Sequence, residues 1–597
     1  MSSRSFVVTA ITLAAFAAAA PAAHAGGPYA LFESGQVRPL AMAPHRPLVF
    51  AVNTPDDRLE VLALVGERLV PIAAVKVGLE PVAVAARNDR EVWVVNHLSD
   101  SISVVDVSDP TAPRVTRTLL VGDEPRDIVF AGPGRQRAFV TTARRGQNSP
   151  IDPALTTPGL GRANVWVFDA AQPGPGLGGT PLTILTLFTD TPRALAVTPD
   201  GRTVYAAGFR TGNRTTTVFS FAFDFGLFGF AQLGPHTDAH GNPAPSVGQI
   251  AQFDGAAWRD EAGRDLSAGV FFNLPDQDVF AIDAMASPPV PRTGPGAITT
   301  GVGTILYGMA VNPVTGRVYV TNTEARNVHR FEGEGGFAGQ TVRGHHNDNR
   351  ITVIDAAGAH PRALNQHVDY AACCAPLPNA ENARSLALPN GLTVSGDGAT
   401  LFVAATGSDK IARIPTAQLE ADTYAQAPAD QLALRGGGPT GVLLDERRGL
   451  LLVMTRFDNG ISVVDTRRWR EQQHLTLASP EPASVVEGRR FLYDAALTSS
   501  HGDSACATCH VDGDLDALAW DLGNPDAAMV PDQNPLNVDL TPPFPAVFHG
   551  MKGPLTTQSL RGMANHGPMH WRGDRTGAAL GPSVQPNGGG YDEVEAF

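Results

Sequence analysis

No long basic run occurs in this chain, and Asp and Glu (59) outnumber Lys and Arg (45), for a formal net charge of -14. A surface short of positive charge does not attract phosphate backbones or anionic headgroups. Nucleic acid and acidic membrane surfaces are therefore not expected as partners. Long hydrophobic runs are missing as well. Beyond the first 20 residues no apolar stretch approaches the ~18 that a membrane-spanning helix needs. Charged residues are only 17% of the chain against 43% hydrophobic, with 62 Gly and 48 Pro, a folded, turn-rich composition rather than a disordered one. Cysteine is scarce too, at four in 597 residues. That length predicts two or three domains.

The start of the chain reads MSSRSFVVTAITLAAFAAAAPAAHAGG. Arg4 supplies a positive charge, Phe6 to Ala20 is largely apolar, and Ala23-His24-Ala25 has small residues flanking one position. This is the layout of a secretory signal peptide at 1–25, cut before Gly26. The alternative is a membrane anchor, but the run is short and the small residues favour removal. The expectation is an exported, soluble protein, periplasmic or secreted.

From 26 to 475 a pattern recurs. "PVAVAARNDREVWVVN", "PRALAVTPDGRTVYAAG", "YGMAVNPVTGRVYVTN", "LTVSGDGATLFVAAT" and "TGVLLDERRGLLLVMT" each join two apolar strands through a Gly, Asp or Asn turn. A third strand often follows, as in Ile102 to Asp106 and Ile461 to Asp465. Alternation between turn signals predicts half-buried antiparallel strands. The second strand ends at Asn53, Asn96, Thr142, Gly208, Asn322, Thr406 and Thr455. The shorter gaps match a four-stranded blade of ~40–50 residues, and the longer ones predict insertions near 210–300 and 325–390. Seven copies predict a mainly β, seven-bladed propeller. Eight blades stay open because Phe271 to Asp283 also reads as strands. "VYVTN" at Val318 to Asn322 and "VWVVN" at Val92 to Asn96 resemble the bacterial YVTN-type propellers, a likeness that implies fold and leaves function open.

The insertions carry two candidate metal clusters. One is His236, Asp238 and His240; the other is His345, His346 and Asp348. Both lie among turn residues, and solvated loop side chains are the preferred reading. Cys373 and Cys374 are adjacent, which in an exported protein predicts a vicinal disulfide over two free thiols or a catalytic cysteine.

The other two cysteines form Cys506-Ala507-Thr508-Cys509-His510. Three chemistries use C-x-x-C. A redox dithiol needs a strand before it and a helix after it in a βαβ unit. Zinc needs a second ligand pair, and Cys373-Cys374 has the wrong spacing. Covalent haem c uses both thiols on the porphyrin vinyl groups and the next histidine on the iron. The directly following His510 and the export signal favour haem c, with His510 as proximal ligand.

The flanks extend this. "GRRFLYDAALTSSHGDSACATCH", 488–510, resembles the opening of di-haem cytochrome c peroxidases and their MauG-like relatives. "FHGMKGPLTTQSLRGMANHGPMHWRGDR", 548–575, is similar to the segment after their first haem. The resemblance implies a mainly α cytochrome c-like domain at 485–597. It places His549 where that family has a distal histidine that leaves on activation. Met551 is the runner-up, and Met563, His566, Met569 and His570 are further candidates. The resemblance also matches Trp571 to a tryptophan on the electron path, with a core aromatic as the alternative. Arg572 and Arg575 are candidates to hold haem propionates. Asp512, Asp514 and Asp516 alternate like a calcium loop but lack its glycine and glutamate spacing, so a solvated acidic turn is preferred. The family's second C-x-x-C-H is missing, so the haem region is expected to be cut short.

The expected function is redox work at a covalent haem, exchanging electrons with a partner protein or a small donor, with peroxide chemistry as an extension. One alternative is a propeller that binds a partner or polymer while the haem acts as a wire. The other is a lactonase-like propeller hydrolase.

Overall fold

The computed structural model describes residues 29–145, 161–271, 276–531 and 547–562. The expected signal peptide lies outside them. Among the described residues no helix is long and apolar enough to cross a membrane.

The repeats fold into antiparallel meanders. In the first, Leu40–Met42, Leu48–Asn53, Arg58–Val65 and Arg68–Lys76 pair in chain order. The second strand is buried at every position, because neighbouring sheets cover both its faces. The last strand is mostly exposed or half-buried, as an outer edge should be. Seven such sheets follow one another among the described residues, at 40–76, 81–120, 128–187, 192–299, 305–363, 389–433 and 439–476. Their first strands pack in sequence, and that of the seventh returns to the first. The result is a ring, the architecture of a β-propeller.

The run near Phe271 to Asp283 finds its place in this ring. Val279–Asp283 pairs with Thr203–Gly208 as the third strand of the fourth sheet. The gap before it holds a separate three-stranded module, Thr215–Val218, Gln249–Phe253 and Trp258–Arg259. Val218, Phe223, Trp258 and Leu266 form that module's own core.

The recurring small polar residues at the strand ends have a use. The Asn96 amide donates to Ser101 and Ser103 hydroxyls on the next strand, and the Asn322 amide donates to Thr352 in the same way. Buried threonines join one sheet to the next. Thr54 donates to the Pro81 carbonyl, Thr141 to Arg193, Thr321 to Asn390 and Thr406 to Pro439. The seventh sheet reaches the first through Gln36, which accepts from Thr440 at 2.6 Å and donates to Thr54 at 2.9 Å. At the periphery Gln473 exchanges two hydrogen bonds with the Leu69 backbone.

The N-terminal stretch around Gln36 plugs the ring axis. The Val37 N–H donates to the Val82 carbonyl, and Arg38 pairs with Asp127 at 2.9 Å while donating to the Leu195 carbonyl. A helix after the last sheet, Ala483–Tyr493, is fastened beside this plug by charge. Arg489, 3% exposed, bonds both Glu33 and Glu481. Burial works against the Glu33 carboxylate, but Arg456 and Arg489 outweigh it and hold its pKa below the ordinary value.

Glu80 sits beside the same cluster with Oε2 buried and without a hydrogen-bond partner. Burial pushes its pKa up from 4.5 to about 7. Its folded pKa exceeds its unfolded one, so the folded state binds more protons between these values. Stability therefore falls as pH rises through that window and is level above it. Glu80→Gln removes this fall. It is expected to stabilise the protein at pH 8 by about 2–3 kcal/mol and to be near neutral at pH 4. Urea unfolding at the two pH values checks this; equal effects at both would refute it.

Candidate haem-attachment site

Cys506–Cys509 form one helical turn. Its start is set by the Ala505 N–H donating to the Thr508 hydroxyl at 3.0 Å, and its end by the His510 N–H donating to the Cys506 carbonyl at 2.9 Å. The turn is seated on the ring. Ala505, Ala507 and Val511 are buried in one cluster with Phe209, Ile305 and Tyr307 of the fourth and fifth sheets. The segment from 483 onward thus shares its core with the propeller. Among the described residues it contains the helices Ala483–Tyr493, Ala495–Thr498 and Cys506–Cys509, and beyond them loops and two short strand pairs.

Both thiols are free and half-buried. Burial raises the pKa of Cys506 and lifts that of Cys509 well above the ordinary thiol value, with Asp516 adding to the second. Both sulfurs are protonated at neutral pH. A redox dithiol works through a depressed thiol pKa, so this environment is the wrong one for exchange chemistry. Among the described residues no three His, Cys, Asp or Glu side chains converge as a metal cage. A zinc site built on the pair has no second half there.

His510 is positioned from behind. Its Nδ1 lies 2.8 Å from the Gln558 carbonyl. A carbonyl only accepts, so Nδ1 carries the proton and the neutral ring keeps its lone pair on Nε2. Gln558 is itself held. Leu555–Thr556 pair with Ala519–Trp520, the Thr557 N–H donates to the Leu518 carbonyl, and the Leu560 N–H donates to the Gly513 carbonyl. Cys509 packs on an apolar wall of Val342, Leu518 and Trp520. Two neutral thiols on one turn, an oriented imidazole and an apolar wall are a donor set that fits covalent haem c.

The acidic run behind the motif is not a solvated turn, and that expectation is corrected. Asp512 reaches Arg193, 1% exposed, at 3.3 Å. Asp514 meets Arg561 at 3.0 Å and Arg210 at 3.5 Å. Asp516 accepts from the Trp520 indole at 2.8 Å. Each carboxylate has its own partner, so the three do not converge as calcium ligands.

The insertions form the rest of the cradle. From the fifth sheet's insertion, Phe331 and Glu332 donate backbone N–H groups to the Asp521 and Gly523 carbonyls, and the Phe337 N–H donates to Asp526. His345 bonds Asp348 at 2.7 Å and stacks on Tyr370, while His346 faces Glu332 at 3.3 Å. In the fourth sheet's insertion Asp238 closes its own turn by accepting from His240 and Asn242 N–H groups. His549 is drawn to this turn. Its Nδ1 accepts from the Met551 N–H at 3.0 Å, and its Nε2 lies 3.8 Å from Asp238. Met551 is buried. Met563, His566, Met569, His570, Trp571, Arg572 and Arg575 lie outside the described residues.

Sequence reasoning missed Arg193, Arg210, Arg561 and Gly35. One signal existed: Arg193 is a charge in a first strand where Val82 stands in the second sheet. Gly35 passes so close to the Arg193–Asp512 pair that a Cβ there would collide with Asp512 Oδ2 and lie 2.8 Å from Arg193 Nη1.

No protein-family model and no curated protein matches the chain. Among solved structures, hydrazine synthase of Kuenenia stuttgartiensis aligns with TM-score 0.45 and 16% identity, over 73% of this chain and 97% of its own. A functionally unknown protein from Desulfotomaculum acetoxidans aligns with TM-score 0.39 and 12% identity, over 73% and 96%. Likenesses this distant carry no argument about chemistry.

Removing one partner of a buried ion pair strands the other. Asp512→Ala is expected to cost about 3–5 kcal/mol in urea unfolding. Combining it with Arg193→Met should cost less than the sum of the two single changes; a double variant as unstable as that sum would show that the pair is not coupled.

Proposed function

We propose that this chain is an exported c-type haem protein for electron transfer, in which a seven-bladed propeller carries the haem on one face. The observation that supports this most is the Nδ1 contact of His510 with the Gln558 carbonyl, which leaves the Nε2 lone pair as a ligand atom. In this reading Cys506 and Cys509 tether the porphyrin, and His510 is the proximal ligand. Bound there, haem c supplies one-electron redox chemistry at its iron. The protein's part is positional. The Cys506–Cys509 turn fixes the spacing of the sulfurs, Gln558 fixes the ring of His510, and the wall of Val342, Leu518 and Trp520 keeps water from that side.

A second iron ligand would be drawn from His549, Met551 or the further candidates Met563, His566, Met569 and His570. A buried methionine at Met551 suits simple electron transfer, since thioether ligation raises the potential. His549 is the other candidate: the Met551 N–H engages its Nδ1, while its buried Nε2 has no hydrogen-bond partner. The buried Met551 thioether is the basis for preferring electron transfer to peroxide chemistry, which needs a ligand that leaves. The partner is a redox protein or small donor, and the ring face beside the motif is its docking platform. The compartment is the periplasm or the exterior.

Exported wild-type protein is expected to be coloured, with pigment that survives acid denaturation. Cys506→Ala/Cys509→Ala should be folded and colourless. His510→Ala should keep covalent pigment but lose its native spectrum. Peroxide should leave the wild-type spectrum unchanged; a peroxide-induced change would shift the reading to peroxidase chemistry. A colourless wild type, exported in a host able to attach haem c, refutes the proposal.

A further inference from the structure

The insertion between the fifth and sixth sheets holds a second sulfur pair that the haem reading does not use. Cys373 and Cys374 form a disulfide, with Cys374 exposed and Cys373 half-buried. Behind them lies His501, 1% exposed. Its Nδ1 is 2.8 Å from Glu381 Oε2. Its Nε2 is buried and has no hydrogen-bond partner. That nitrogen and the inner sulfur border the same space: a Cβ on Gly344 would lie 2.5 Å from Cys373 Sγ and 3.3 Å from His501 Nε2. Only glycine there leaves the space between the sulfur and the ring nitrogen open. The His501 backbone is fixed as well, since its carbonyl accepts from the Ser385 hydroxyl at 2.6 Å, and Tyr370 packs edge-on to its ring while donating to Asp503.

A carboxylate bonded to an imidazole whose other nitrogen borders the same space as a sulfur supplies the parts of an acid–base pair serving a thiol. Cys374 is the exposed cysteine and Cys373 the one beside the histidine, which assigns each a role. We infer that Cys373–Cys374 is a thiol–disulfide exchange site whose substrate is a dithiol, with His501 as its acid–base group and Glu381 as a positioning residue.

The reaction balances as follows. A thiolate of the dithiol attacks Cys374 Sγ, and the Cys373–Cys374 bond breaks. Its electron pair passes to Cys373 Sγ, which takes a proton from the imidazolium of His501. The second thiolate of the dithiol then attacks the donor's sulfur in the mixed disulfide and releases Cys374, which takes its proton from solvent. The dithiol leaves as a disulfide, oxidised by two electrons, and the protein pair is reduced by two. In the reverse direction neutral His501 removes the proton from Cys373. Glu381 holds Nδ1–H and so keeps Nε2 turned to the sulfur.

This site lies next to the chain leading into the C-x-x-C-H turn. The Asn382 amide donates to the Ala496 and Ser499 carbonyls, and the Ser500 hydroxyl donates to the Ala375 carbonyl.

The test uses the full-length exported protein, dithiothreitol as the dithiol, rapid alkylation, and mass analysis of the peptide containing 373–374. That peptide is distinct from the one containing 506–509, so the rate is read with or without pigment. The pair is expected to open about tenfold or more faster than the oxidised peptide Ala-Cys-Cys-Ala. His501→Gln should lose about tenfold or more of that rate. Glu381→Gln should lose several-fold, with Glu381→Asp recovering part. A wild-type rate no faster than the peptide overturns the inference, as does an unchanged rate in His501→Gln. If that variant does not fold, the half-exposed Glu381 series and the peptide comparison decide it by the same criteria.

Discussion

A guanidinium at the centre of the ring holds the parts of this molecule together. Arg193 is on the first strand of the fourth sheet and is 1% exposed. It donates to the Tyr307 carbonyl of the fifth sheet, to the Gln36 carbonyl of the axial plug, and to Asp512 just behind the C-x-x-C-H turn. A buried charge must be paired and hydrogen-bonded, or the fold loses several kcal/mol. Every partner of Arg193 is therefore constrained, and those partners come from three distant stretches of chain. Gly35 is where the constraint is tightest, because the plug passes against the Arg193–Asp512 pair with no room for a side chain.

Around that centre the ring is closed by small repeated contacts. A threonine near the end of a second strand donates to the first-strand carbonyl of the following sheet at four of the junctions. Each bond is worth about 1 kcal/mol net. Its greater effect is on register, since the donor and acceptor are buried and have no water to turn to. Where the sequence runs out of repeats, Gln36 supplies the missing link between the last sheet and the first. The N-terminal stretch is thus the clasp of the ring as well as its plug.

The C-terminal segment is built onto the propeller rather than beside it. Its apolar residues share a cluster with Phe209, Ile305 and Tyr307; Arg193 pairs with Asp512, Arg210 and Arg561 pair with Asp514, and the Trp520 indole donates a hydrogen bond to Asp516. The two insertions that break the repeat spacing turn out to be its cradle. The first brings the Asp238 turn to His549. The second gives backbone donors to the Asp521, Gly523 and Asp526 stretch, and further along it clamps the chain before Cys506 and carries the vicinal disulfide.

The sequence by itself determined the local rules. Alternating apolar residues between Gly, Asp and Asn turns dictated antiparallel strands, because period-2 patterning can bury one face only in a sheet. The repeats dictated that the sheets would succeed one another in a ring, and two cysteines with a following histidine dictated one helical turn. Tertiary structure alone decided the rest. That Val279–Asp283 completes a sheet, that Asp512, Asp514 and Asp516 face arginines and an indole, and that His549 turns to Asp238 all depend on partners hundreds of residues away. Spacing along the chain reports which atoms are neighbours within one element. Burial, ion pairing and the direction of a ring nitrogen depend on what packs against that element, and no local pattern encodes it.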